Sequence, residues 1–289
     1  MTHPYPVAMP ESVQRVAIHT PGGPLAVLDA RPAEGSPFHG TAVMVPGFTG
    51  SKEDFIPILA TVVSAGYRVV CFDQRGQYES AGPSRATAYS IEAFSKDLLS
   101  VIDSVAGTQP VHLLGHSFGG LVARRTVITT PEVVRSLTLL DSGPDGTSLV
   151  RRYLLGVLTW IIRLGGPRVL AALIGKAGLQ TGSSRDQLAW LRYRLLNSSR
   201  AGLIGICQAT SIEPDLVGSL AATAVPVLVM CGENDDIWSP ATQIDMARRL
   251  AARIEVIKRA GHTPNEDQPE IVTGILLDFW ATVDNAHTD

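Results

Sequence analysis

The chain reads as an α/β fold, a mostly parallel twisted sheet with helices on both faces and a block of helices inserted late in the sheet. Three observations predict it. Apolar runs without strict alternation, Ala42-Val43-Met44-Val45, Arg68-Val69-Val70-Cys71-Phe72, Val111-His112-Leu113-Leu114 and Leu137-Thr138-Leu139-Leu140, alternate with helix-length segments, as strands buried on both faces do. After Leu140 the alternation stops, and from about Gly143 to Ala222 the sequence is helical in character with glycine, serine and asparagine breaks. It resumes with Val225-Pro226-Val227-Leu228-Val229-Met230. The expected domains are a core of residues 1–142 and 223–289 and a helical cap, or lid, of residues 143–222.

Taken in order, Val13 to Ile18 alternates weakly and Leu25-Ala26-Val27-Leu28 follows a Pro21-Gly22-Gly23-Pro24 turn, which predicts an opening antiparallel hairpin. Ser90 before Ile91-Glu92-Ala93-Phe94 is a helix N-cap. In the inserted block, helices are expected over Leu149 to Leu164, Val169 to Ile174 and Gln187 to Leu196. No internal repeat or low-complexity tract interrupts the chain.

With 289 residues, 45% hydrophobic and 18% charged, the chain can bury a large core. A formal net charge of −3 lacks the strongly basic balance of a nucleic-acid binder. Three cysteines are too few and too scattered for a disulfide framework, and Cys71 and Cys231 lie in apolar strand-like runs. They read as buried thiols of a cytoplasmic protein. The start, Met1-Thr2-His3-Pro4-Tyr5-Pro6, carries no basic-then-apolar leader. Tyr153 to Ile162, between Arg152 and Arg163, falls short of the roughly 20 residues that span a bilayer, so no transmembrane helix is expected.

The chemistry concentrates at Gly115-His116-Ser117-Phe118-Gly119, where the Val111 to Leu114 strand runs into the apolar segment Leu121-Val122-Ala123. A serine on a sharp strand-to-helix turn is forced out of the sheet edge, above the next helix's N-terminus. That terminus offers free N–H groups and a positive dipole end to a developing oxyanion. A serine hydroxyl is a poor nucleophile until a base takes its proton. Of seven histidines, His3, His39 and His287 lie near the ends or in a polar turn, His19 near the hairpin and His112 within a strand. His116 flanks the serine and is held by the turn, which leaves His262, after Ile254-Glu255-Val256-Ile257, as the base.

The acid that orients a histidine should end another strand, and Gly232-Glu233-Asn234-Asp235-Asp236 directly follows the Val225 to Cys231 run. The two aspartates compete, since neighbours on a turn project differently. Asp235 is the expected partner, with Asp236 as a helix-capping or surface carboxylate before Pro240. The oxyanion donors are expected to be the backbone N–H of Phe118 and, from Val45-Pro46-Gly47-Phe48-Thr49-Gly50, that of Phe48.

With these segments in place the chain resembles the α/β-hydrolase superfamily over nearly all its length except the cap. Gly115-His116-Ser117-Phe118-Gly119-Gly120 resembles its nucleophile elbow, Gly232 through Asp235 its acid turn, and Gly261-His262-Thr263-Pro264 with Glu266, Pro269 and Glu270 its histidine loop. Asp73-Gln74-Arg75-Gly76 through Ser80 is similar to a further family turn, in which Arg75 and Ser80 read as structural. The resemblance implies the family's mixed sheet and a cap inserted after the sixth strand. Two departures stand out. Pro46 replaces the histidine of many relatives, and Gln77-Tyr78 a common His-Gly pair. A nucleophilic serine disfavours the superfamily's dehalogenases and epoxide hydrolases, which the resemblance implies would carry aspartate there.

The expected function is a serine hydrolase cleaving a carboxylic ester through Ser117, His262, Asp235 and an acyl-enzyme, with Phe48 and Phe118 N–H as the oxyanion hole. C–C bond, lactone or thioester hydrolysis, perhydrolysis and acyl transfer use the same triad, and a non-catalytic ligand-binding protein on this scaffold is a reading from another class. The partner is a small molecule, an apolar acyl ester; no cofactor, metal or nucleic acid is called for. Between Gly143 and Ala222, nine Lys or Arg stand against four Asp or Glu. Arg151, Arg152 and their neighbours could attract an anionic substrate or rest on an anionic membrane as an interfacial lid. The favoured reading is an apolar face over the cleft with solvated arginines. Trp160, Trp190 and Tyr153 read as packing residues before they read as a recognition site.

Overall fold

Strands β1 (Val13–Thr20) and β2 (Gly23–Ala30) form the expected antiparallel hairpin, with Val16 opposite Val27. In the computed structural model, which describes residues 9, 10, 12–145, 149–180 and 184–286, six more strands complete one sheet. They are β3 (Gly40–Val45), β4 (Tyr67–Phe72), β5 (Val111–His116), β6 (Val134–Leu140), β7 (Val227–Gly232) and β8 (Arg253–Ile257). The order across the sheet is β1-β2-β4-β3-β5-β6-β7-β8, and β2 alone runs against its neighbours. His3, His287 and the Met1 to Pro6 segment lie outside the described residues, as do the side chains of residues 149–151, and so that of Arg151.

Strand period sends alternate side chains to opposite faces. Val43, Val45 and Leu113 join one core with Phe94 and Leu98 of α2 (Ile91–Ala106) and Leu121 and Val122 of α3 (Phe118–Thr129); α1 (Ile56–Ser64) lies opposite. There Ala42, Met44 and Leu114 pack with Ile58, Leu59 and Val62 of α1. Ser90 caps α2 as expected, accepting from the N–H of Ala93.

From β6 to β7 the chain runs through α4 (Leu149–Gln180), α5 (Arg185–Leu196), α6 (Arg200–Ile212) and α7 (Val217–Ala221). Gly166 (φ 65°) and Pro167 break α4 where glycine was expected to separate two helices. Ile162, Leu170 and Ala171 of α4 pack with Leu195, Leu203, Ile204 and Cys207 as a separate small core. Val217 and Leu220 of α7 instead join the sheet's own core, so the end of the inserted block packs with the strands. Buried Arg124 of α3 holds both ends of the block, donating to the carbonyl of Pro144 and to Glu213 Oε1 at 3.0 Å. After β7 come α8 (Pro240–Leu250), the short α9 (Pro264–Asp267) and α10 (Pro269–Ala286), whose Leu276 and Trp280 complete the core on the α1 face.

Because β4 and β5 lie on opposite sides of β3, the chain changes direction there and leaves a crevice at the strands' carboxyl ends. Phe48 follows β3 and Ser117 follows β5, so both open onto that crevice.

Candidate active site

Ser117 is the single residue between β5 and α3, and its backbone is forced to φ 53°, ψ −120°. A non-glycine residue rarely adopts this conformation, which costs about 1–3 kcal/mol. The surrounding turn explains how it is kept. Ser117 N–H donates to the carbonyl of Leu140, and Ser142 Oγ donates back to the carbonyl of Ser117, both at 2.9 Å. A Cβ on Gly119 would stand 2.2 Å from the carbonyl oxygen of Val45, and one on Gly115 2.5 Å from that of Gly119. Glycine is required here for close approach, since neither takes a positive φ.

Ser117, His262 and Asp235 come from the ends of β5, β8 and β7 and meet in one line. Ser117 Oγ lies 2.9 Å from His262 Nε2, and His262 Nδ1 lies 2.9 Å from Asp235 Oδ1. A carboxylate only accepts, so Nδ1 carries the proton and Nε2 presents its lone pair to the serine hydroxyl. Asp235 Oδ1 also accepts from the N–H of Ile237 at 2.8 Å, and Oδ2 from Gln243 Nε2 at 2.8 Å. Burial would raise the Asp235 carboxyl, but the hydrogen bond and charge of His262 outweigh it and hold the group below the usual carboxylate range.

The neighbouring candidates fall elsewhere. His116 is buried, and its Nε2 donates to the carbonyl of His262 at 2.7 Å, so it braces the histidine loop from below. Burial and then the charge of His262 push its pKa down to about 3, which keeps it neutral. Asp236 is exposed and turns toward the crevice. Of the two roles expected for it, helix-capping or surface carboxylate, the cap belongs to Ser239, whose side chain accepts from the N–H of Thr242 ahead of α8.

Two glutamines shape the loop after β3, a role the sequence reading did not give them. Gln74 Nε2 donates to the carbonyl of Pro46 and Gln77 Nε2 to that of Gly47, both at 2.8 Å. Among the described residues every peptide is trans, so holding the Gly47 carbonyl from one side turns the Phe48 N–H to the other. The departure Gln77-Tyr78 thus has a physical account. Gln77 braces this loop, while Tyr78 meets Trp190 and Tyr193 of α5 edge-on, with ring centroids 5.3 and 5.9 Å away. Arg75 ties its turn to α2 through Asp97 at 2.5 Å and the carbonyl of Ala93, and to the carbonyl of Ala88 just ahead of that helix.

A cavity of about 580 Å³ opens over Ser117. Phe48, Phe118, Ile237 and Trp238 line its core side, and Leu154, Leu155, Leu158, Ile174, Ile206 and Cys207 of the inserted helices line the other. Among the described residues, Asp236 is the one charged carboxylate in this lining and no Lys or Arg joins it.

Asp141, after β6, is a further acid that sequence reading missed. It is fully buried, and its Oδ1 accepts from the N–H of Gly232 at 2.9 Å. His116, Asp141 and His262 bring potential metal-ligating atoms within 4.8 Å of one another. Both nitrogens of His262 are already engaged, so a cation here would cost a hydrogen bond to Ser117 or Asp235.

Comparisons with known proteins agree with this architecture. The chain is 36% identical over 263 residues to "Putative carbamate hydrolase RutD" of Variovorax paradoxus, covering 86% of this chain and 94% of that one. It is 28% identical over 258 residues to "Putative 2-succinyl-6-hydroxy-2,4-cyclohexadiene-1-carboxylate synthase" of Bacillus subtilis, covering 83% and 90%. In fold it is similar to the esterase EaEST of Exiguobacterium antarcticum, with a TM-score of 0.80 at 23% identity over 93% of this chain and 100% of that chain. Residues 42–274 match the model of the alpha/beta hydrolase family, and the chain belongs to that family.

Proposed function

We propose that the chain is a serine hydrolase that cleaves a carboxylic ester with a neutral, apolar acyl group. The observation that carries this reading is the unbroken line from Ser117 Oγ through His262 to Asp235, with 2.9 Å at each step. His262 Nε2 takes the hydroxyl proton as Ser117 Oγ attacks the ester carbonyl carbon. The carbonyl oxygen becomes an oxyanion between the N–H groups of Phe48 and Phe118, the latter at the N-terminus of α3. Asp235 stabilises the imidazolium. As the tetrahedral intermediate collapses, the bond to the alcohol oxygen breaks and His262 returns the proton to it, leaving an acyl-enzyme. Water then repeats the sequence with His262 as base, releasing the acid and restoring Ser117.

The cavity supports the substrate class. An apolar lining with one carboxylate at Asp236 favours an uncharged acyl chain and repels a carboxylated one. The inserted helices α4 to α6 act as the cap, supplying half of that lining. The test is a fluorophosphonate probe with adduct mass read on wild type and Ser117→Ala, run beside p-nitrophenyl esters of increasing chain length. Labelling and turnover lost together in the variant support the reading. A wild type that stays unlabelled and never turns over defeats it.

A further inference from the structure

Helix α4 has two apolar faces. Leu155 and Leu158 look into the cavity, and Ile162 is buried against the small core under the helix. Tyr153, Val157, Trp160 and Leu164 follow at i, i+4, i+7 and i+11, a spacing that places them on a single stripe. That stripe faces outward. Tyr153 is 73% exposed, Trp160 63% and Leu164 71%. A shallow recess beside it is lined by Tyr153, Gly156, Val157, Trp160, Ile161 and Leu164, all apolar or aromatic. Packing of the cap therefore does not account for Tyr153 and Trp160.

Charge identifies what meets this face. Between Leu149 and Gln180 there is no Asp or Glu, against Arg151, Arg152, Arg163, Arg168 and Lys176. Arg152, Arg163, Arg168 and Lys176 are exposed. Arg152 and Arg163, eleven residues apart, run along one edge of the stripe. This positive strip sits on a chain of net charge −3, so it belongs to the inserted block and not to the chain as a whole. A second copy meeting the stripe with its own α4 sets its arginines beside those of the first, where like charges repel. An anionic lipid surface offers both headgroup charge and an apolar boundary for a tryptophan and a tyrosine.

We propose that the outer face of α4 docks on an anionic bilayer surface, with Tyr153, Val157, Trp160 and Leu164 at the headgroup–acyl boundary and Arg152 and Arg163 on lipid phosphates. The helix lies in the interface and does not cross it. Arg152–Lys176 is 25 residues long and apolar enough to span by length and composition, longer than the Tyr153 to Ile162 run expected from sequence. Its backbone breaks at Gly166, however, and Ile162, Leu170 and Ala171 are committed to α5 and α6. Leu154 is 58% exposed and also lines the cavity, so the docked face borders the path to Ser117. That last step, acyl esters entering from the lipid side, rests on the esterase reading; docking itself does not.

The test is flotation of the full chain with phosphatidylcholine vesicles with and without phosphatidylglycerol, at low and high salt. Wild type floats with the anionic vesicles and is released by salt. Arg163→Gln weakens that binding about fivefold. Trp160→Ser with Leu164→Gln abolishes it, while turnover of a short soluble p-nitrophenyl ester is unchanged. Ser117→Ala floats as wild type does, so failure of the catalytic reading and failure of docking are read separately. The proposal is overturned if wild type stays unbound at low salt or if the double variant floats equally well. It is equally overturned if the chain sediments as a dimer that Trp160→Ser dissociates.

Discussion

The carboxyl of Asp141 hydrogen-bonds to that of Asp235, the group that holds His262. Two carboxylates in one buried site cannot both ionise at modest cost. Asp235 keeps the charge because it faces His262 Nδ1–H, the N–H of Ile237 and the Gln243 amide. Asp141 has the N–H of Gly232 on Oδ1 and the Gln243 amide nearby, but no histidine faces it as His262 faces Asp235. Burial and then the Asp235 charge push Asp141 up to about 9. It therefore stands as a neutral acid whose O–H donates to Asp235.

This arrangement makes stability depend on pH in a stated direction. Asp141 keeps its proton in the folded state up to about pH 9 and loses it in the unfolded chain near its ordinary value of 3.8. Between those limits the folded state holds the extra proton, so stability falls as pH rises, by about 1.4 kcal/mol per pH unit. Asp141→Asn supplies the same donor without the titration. Urea unfolding at pH 5, 7 and 9 should show the wild type losing stability relative to Asp141→Asn across that range, with activity near pH 7 retained within about threefold. Parallel curves for the two proteins would mean that Asp141 is ionised in the fold.

Gln77 tests whether the Phe48 N–H is aimed by the loop. The Gly47 carbonyl accepts from Gln77 Nε2 at 2.8 Å and from the N–H of Gly50 at 3.1 Å. Gln77→Leu removes the first and lets the Gly47–Phe48 peptide turn. An oxyanion donor acts on the transition state more than on the bound ester, and losing one costs about 100-fold or more in rate. Partial misalignment should lower kcat about tenfold with KM nearly unchanged. A rise in KM at constant kcat would place Gln77 in substrate binding instead.

How much of this was legible in sequence depended on whether the information was local. Ser117 sits in a strand-turn-helix segment that announces itself, and His262 and Asp235 each lie within a few residues of a strand's end. Strand positions, the opening hairpin and the inserted helical block were readable for the same reason. Asp141 was not, because its meaning comes from β6 lying between β5 and β7, a neighbour relation that no short segment encodes. Gln77 was noticed as a departure, but its bond to Gly47 spans 30 positions. In α4 both faces are apolar, so periodicity alone could not tell which one the fold would cover.

The choice between the adjacent aspartates can be checked directly. Asp235 meets His262 Nδ1 at 2.9 Å, and Asp236 lies on the cavity wall. Asp235→Asn should lower kcat on p-nitrophenyl butyrate by about 10³- to 10⁴-fold, as loss of the orienting acid does in serine hydrolases. Asp236→Asn should leave kcat within about twofold. Because it removes a negative charge from an otherwise apolar wall, it should raise kcat/KM on a carboxylated ester by about two- to fivefold. Equal losses in the two variants would sink the assignment.

Cys207 offers a way to measure where the acyl chain lies. Its thiol is buried in the small core beneath α4 and also lines the cavity, where burial pushes it up to about 12. It is therefore a protonated, apolar wall atom and not a nucleophile. Cys207→Phe adds several carbon atoms to a cavity of about 580 Å³ without adding charge. If the acyl chain runs under α4 toward Ile174 and Ile206, the variant should keep acetate and butyrate esters within about threefold and lose octanoate and longer esters by about tenfold or more, mainly through KM. Steady-state kinetics across the ester series, with Tm followed to confirm folding, would decide it. A uniform loss at every chain length in a folded variant would place the acyl chain on the Trp238 side instead.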